Sequence, residues 1–111
     1  VAPPWVEVER VGSVTPGRDL VVTAQVETVE ELDWVRLYYR DLNQRELYTP
    51  LSMERHNGVW RATIPGSDIV SSWDLMYYVE VMDRLGNGAI GPDMNREAPY
   101  VVVPVDRGQI M

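Results

Sequence analysis

Leu51-Ser52-Met53-Glu54-Arg55-His56-Asn57-Gly58-Val59-Trp60-Arg61-Ala62-Thr63-Ile64 is the most tightly specified stretch of this chain. Asn57-Gly58 is a favoured pair for a two-residue hairpin turn, because both positions tolerate positive φ. With that turn, His56 faces Val59 and the register runs outward. Met53 then opposes Ala62 and Leu51 opposes Ile64 on one face, while Glu54 meets Arg61 and Ser52 meets Thr63 on the other. Apolar pairs share one side and polar pairs the other, and a one-residue slip would scramble both.

The same period of two recurs on either side of the hairpin, and no stretch sustains a helical period. Val6 and Val8 alternate with Glu7 and Glu9 in a first strand, which reads as a sheet edge. Thr15-Pro16-Gly17-Arg18-Asp19 is a turn. A second strand places Leu20, Val22, Ala24 and Val26 on one face and Val21, Thr23, Gln25 and Glu27 on the other, as in one layer of a sandwich. Glu27 to Asp33 reads as an acidic loop. A strand from Trp34 to Arg40 sets Val35, Leu37 and Tyr39 against Trp34, Arg36, Tyr38 and Arg40. Asp41-Leu42-Asn43-Gln44-Arg45 turns the chain.

After the hairpin, Ile64-Pro65-Gly66-Ser67-Asp68 ends a strand and a loop carries Trp73. Leu75 to Asp83 follows, with Leu75, Tyr77, Val79 and Val81 inward. Asp83-Arg84-Leu85-Gly86-Asn87-Gly88 is a turn, Gly91-Pro92-Asp93 lies in a loop, and Tyr100 to Val103 is a last strand halted by Pro104. The spacing predicts an all-β, antiparallel β-sandwich of about seven strands.

At 111 residues the chain is expected to form one domain: 1–4 as the end of a Pro-stiffened linker, 5–105 as the sandwich, and 106–111 as a tail. Phe is absent, so four Trp and six Tyr supply the large side chains. A net charge of −7 weighs against nucleic acid, which needs clustered cations, and against anionic membranes. No apolar run approaches bilayer-spanning length, so membrane insertion is not expected. Without Cys there is no disulfide or thiol nucleophile. The single histidine, His56, flanks a tight turn, which leaves a zinc site or a Ser-His-Asp triad short of parts. No cofactor and no catalytic residue is expected.

Several constellations remain. Glu7 and Glu9 lie on one strand face about 7 Å apart, a spacing that overlaps paired-carboxylate glycosidases, but edge charges also block aggregation. Glu27, Glu30, Glu31 and Asp33 offer oxygens for calcium or simply form a solvated loop; Asp83, Asn87 and Asp93 offer oxygens or brace a turn. Trp34, Arg36, Tyr38 and Arg40 are the most suggestive group. Three readings fit them: sugar stacking with arginine bonding the hydroxyls, docking of a neighbouring domain, or internal packing. Trp5 and Trp73 are candidates for the rim.

Tyr77-x-Val79-x-Val81, then Asp83-x-x-Gly86-Asn87 and a final apolar strand, resembles the end of an immunoglobulin-like or fibronectin type III-like domain. Val35-x-Leu37-x-Tyr39-Arg40 and Trp60-x-Ala62-x-Ile64-Pro65 are similar to the middle strands of such modules in bacterial secreted proteins. The family's Cys pair is missing, as in fibronectin type III-like members. The resemblance implies Tyr77 or Tyr78 as a corner tyrosine. It also implies a non-catalytic accessory or spacer domain, often attached to carbohydrate-active enzymes, in an extracellular, periplasmic or cell-surface setting. Its expected partners are a neighbouring domain of the same chain or a polysaccharide, met through Trp34, Arg36, Tyr38 and Arg40.

Overall fold

Alternating apolar residues, many of them valine, build the longer of nine short strands in the computed structural model, which describes residues 4–41, 47–70, 73–91 and 101–105. These are β1 (Trp5–Val8), β2 (Leu20–Glu27), β3 (Leu32–Asp41), β4 (Thr49–Ser52), β5 (Glu54–His56), β6 (Val59–Ile64), β7 (Leu75–Asp83), β8 (Gly88–Gly91) and β9 (Val101–Val103). One sheet runs β1-β2-β6-β5. The other runs β4-β3-β7-β8, with β9 also on β7. All strand pairs are antiparallel, so the chain is an all-β sandwich.

The expected inner faces form the core. Val22, Ala24, Ala62 and Ile64 of one sheet meet Val35, Leu37, Tyr39, Tyr77, Val79 and Val81 of the other, all buried. β1 is an edge strand, as its alternation with glutamate suggested. At this edge the two sheets touch: a Cβ on Gly91 of β8 would lie 2.9 Å from Val8 Cγ2 and 3.1 Å from Val6 Cγ1. Beyond β1 the chain crosses to the second sheet, where Val14 bridges Val105 in parallel and its N–H donates to the Pro104 carbonyl at 3.1 Å. Trp5 stands at one end of the sandwich, opposite Glu27, and Val105 lies past Val103 at the other, opposite Leu75.

The hairpin is correct in its tip and wrong in its stem. Asn57 (φ 52°) and Gly58 (φ 80°) make the turn, and His56↔Val59 and Glu54↔Arg61 pair as expected. Leu51, Ser52 and Met53 do not continue along β6. The chain leaves at buried Met53, whose N–H donates to the Val35 carbonyl at 2.9 Å. Leu51 then pairs with Leu37 and Ser52 with Arg36. A continued stem would next have opposed Pro50 to Pro65, two residues without an N–H to share. In β4, Pro50 instead sits on a sheet edge, where its missing donor costs little. A groove of about 460 Å³ separates the two strands, lined by Leu51, Ser52, Glu54, Arg61 and Thr63.

Other boundaries shift. The acidic loop is shorter than expected, since Glu27 closes β2 while Leu32 and Asp33 already belong to β3. Register slips between Leu32 and Trp34, which pair with Asp83 and Met82. This bulge sends two residues of equal parity to opposite faces. Asp41 ends β3 rather than opening a turn, and residues 42–45, like Pro92, Asp93 and Tyr100, lie outside the described residues. Gly88–Gly91, whose sequence reads locally as turn and loop, forms β8.

Two ties hold the ends. Gly66, in a 3₁₀ turn at Gly66–Asp68, donates its N–H to Asp19 Oδ1 at 2.7 Å, and Gly17 N–H donates to the Ile69 carbonyl. The buried Tyr77 hydroxyl donates to the Glu9 carbonyl at 2.7 Å. That partner lies 68 positions upstream, so this is a strap between sheets and not the local bond of a corner tyrosine. Burial first, then the nearby Glu9 charge, push the Tyr77 phenol from 10.0 to about 12.

Gly58→Ala forces a side chain into positive φ without a clash and is expected to cost about 1 kcal/mol in a urea melt. Gly66→Ala is expected to cost more, about 1–3 kcal/mol, because its Cβ would collide with the backbone of Gly17. For the strap, a phenol with a raised folded pKa stabilises the fold fully below pH 10 and loses that contribution as pH rises to about 12. Unfolding free energy should therefore fall across that window, and fall less steeply in Tyr77→Phe.

Candidate functional site

Alternation in β3 turns Val35, Leu37 and Tyr39 into the core and Trp34, Arg36, Tyr38 and Arg40 onto the outer face of their sheet. All four outer residues are half-buried rather than open to solvent, and the cause is visible in their neighbours. Tyr38 opposes Tyr78 of β7, and the rings stack with centroids 4.9 Å apart and planes 14° apart. Tyr48 meets Tyr78 edge-on at 5.0 Å. The Arg36 guanidinium lies 4.1 Å over the Trp34 ring, and that of Arg40 lies 4.9 Å over Tyr48. Met82 stands opposite Trp34, beside the space left by Gly88. Ile90 and Val102 carry the apolar surface onto β8 and β9.

Sequence reasoning thus placed the β3 row on the correct face and missed its partners. Tyr78 and Met82 join it through the pairing of β7 with β3, and Tyr48, just before β4, through its ring contact with Tyr78; the same alternation along β7 points to Tyr78 and Met82. Burial first, then the charge of Glu80, raise the Tyr78 phenol above 10.0, so it stays protonated and able to donate at neutral pH. The opposite outer face, on β1, β2 and β6, is more polar: Glu7, Thr23, Gln25, Glu27, Arg61 and Thr63 occupy it, with Trp5 and Val21 exposed among them. One face of the sandwich is solvated and the other carries a packed aromatic–arginine row.

The remaining constellations are dispersed or structural. Glu7 and Glu9 are exposed at the β1 edge, beside a shallow hollow that Thr23, Gln25 and Val59 also line. Among the described residues no three of His, Asp and Glu come together to hold a metal ion. Asp83 is buried and braces its turn: Oδ1 accepts from the N–H groups of Leu85 at 2.9 Å and Asn87 at 2.8 Å, and Oδ2 accepts from Asn87 Nδ2 at 3.1 Å. Burial alone would push its carboxyl up, but these bonds outweigh it and hold it below 3.8. That stabilisation is present above pH 3.8 and is lost as pH falls through the lower folded value. Asp93 lies outside the described residues. Trp5 and Trp73 are exposed, at opposite ends of the sandwich.

No protein-family model and no curated protein matches the chain.

The ring contacts predict a measurable coupling. In a double-mutant cycle of Tyr38→Ala and Tyr78→Ala, denaturant melts should give an interaction energy of about 0.5–1.5 kcal/mol. Strict additivity would mean that the stack contributes nothing beyond burial.

Proposed function

We propose that this domain is a non-catalytic accessory module, immunoglobulin-like or fibronectin type III-like, of a larger exported bacterial protein. It works outside the cytoplasm, at the cell surface, in the periplasm or beyond, and holds a neighbouring domain against the outer face of β3 and β7. The observation that carries this reading is the contrast between the two outer faces. Aromatic rings packed on one another and on arginines across one face of a sandwich, with a more polar face behind, suit a contact between protein surfaces. The passage of the chain from Trp5 at one end to Val105 at the other suits a spacer as well.

A carbohydrate platform is the rival use of the same residues. Sugar rings stack on open aromatic faces, whereas Tyr38 and Tyr78 turn theirs on each other and Trp34 has one face under Arg36. That arrangement favours the protein contact.

Trp34→Ala tests the proposal. Because Trp34 is half-buried, the isolated domain should lose only about 1 kcal/mol in a thermal melt, against about 3–5 kcal/mol for a fully buried Trp. The wild-type domain should bind nothing on a glycan array. In the longer chain, the substitution should loosen the neighbouring domain, read as faster proteolysis at the junction. Glycan binding by the wild type that vanishes in Trp34→Ala would replace this reading with the carbohydrate platform.

A further inference from the structure

Arg36 is the one half-buried arginine among the described residues whose N–H groups have no hydrogen-bond or ion-pair partner. Its guanidinium lies over the Trp34 ring. Glu80 stands directly across the ladder, yet the two do not form an ion pair. The Arg36 guanidinium carbon lies 4.1 Å over the Trp34 ring, and an arginine fork without a hydrogen-bond partner can receive a carboxylate in bidentate fashion. On the same outer face Tyr38, Tyr48 and Tyr78 carry phenol donors, and among the described residues none of the three hydroxyls has a hydrogen-bond partner. Glu80 is the lone carboxylate on the outer rows of β3 and β7. The patch is thus rich in donors and poor in acceptors, within a chain whose net charge is −7.

We propose that Arg36, held over Trp34 on the same strand face as Tyr38, receives an Asp or Glu carboxylate from a protein partner that seats apolar side chains on Met82, Ile90 and Val102. The proposal rests on the reading of this face as a protein contact and names the chemistry of what docks there. Charge complementarity selects the carboxylate, and the aliphatic groups beside it select a polypeptide over a uronic-acid polymer. Desolvated arginines next to aromatic rings are the residue type that dominates such interfaces.

The test titrates the 111-residue chain with the peptide Ac-Glu-Leu-Glu-Leu-Glu-Leu-NH2 and follows the Arg36 Nε–H and Trp34 indole N–H resonances. Both should shift saturably. The glutamine counterpart, Ac-Gln-Leu-Gln-Leu-Gln-Leu-NH2, should bind about tenfold more weakly, and so should the glutamate peptide to Arg36→Gln. Arg61→Gln, on the opposite face, should bind like the wild type. Amide spectra of each variant report whether the sandwich is intact, and Arg36→Lys, which keeps the charge without the planar fork, should recover only part of the loss.

Equal binding of the glutamine peptide overturns the proposal, as does equal loss in Arg61→Gln, and so does no shift at all. Tighter binding of oligogalacturonate than of the glutamate peptide assigns the site to an acidic polysaccharide instead. In every one of these cases the protein-contact reading is judged separately, by whether Trp34→Ala frees the neighbouring domain.

Discussion

The pairing of β3 with β7 is the constraint on which both faces of this protein depend. A strand has a side-chain period of two, so one register assigns every residue of both strands to a face. Val35↔Val81 and Leu37↔Val79 place the centre of the core, and the same ladder places Tyr38↔Tyr78 and Trp34↔Met82 on the outside. The hydrophobic effect holds the inner set with a force that no outer contact matches: truncating a buried leucine such as Leu37 costs about 2–5 kcal/mol. The outer row is therefore presented by a framework that would stand without it. This separation lets the aromatic–arginine surface vary its chemistry without risk to the fold.

The second sheet closes over this ladder unevenly. At the β1 and β8 side, Val6, Val8 and Gly91 are in contact, and only a residue without a side chain fits. At the β4 and β6 side the sheets part, and one run of chain serves both by crossing at Met53. The crossing commits Met53 to the core and leaves Ser52 and Glu54 exposed on different sheets. An unpaired edge results on each side of the groove, and Pro50 gives one of them a position with no donor for an incoming strand.

What the sequence made legible follows from the range of the signals. Alternation is local, so the strand faces at Leu20–Val26, Trp34–Arg40 and Leu75–Val81 were readable without knowing any partner. The Asn57-Gly58 turn was readable for the same reason. The stem of that hairpin was not, because β6 and β3 compete for the same segment and the choice depends on where two distant prolines would meet. β8 escaped because Gly88-Ala89-Ile90-Gly91 carries almost no strand propensity and is made a strand by β7 beside it. The contact surface was half legible: alternation gives the outer rows of β3 and β7, while the meeting of Tyr38 with Tyr78 depends on strand pairing and Tyr48 joins only by its ring contact. The strap from Tyr77 to Glu9 joins residues 68 positions apart and left no local trace.

The course of the chain has a mechanical consequence. Residue 5 lies at one end of the strands and residue 105 at the other, so a pull on the two runs parallel to the sheets. Inter-strand hydrogen bonds in an antiparallel ladder lie across that direction. Tension would therefore load the β1–β2 and β7–β9 ladders in shear, with their bonds sharing the force at once rather than opening one after another. The Val14–Val105 bridge and the Tyr77 strap lie along the same line of force, between the two ends. A domain threaded in this way resists being drawn out far better than one whose ends emerge side by side.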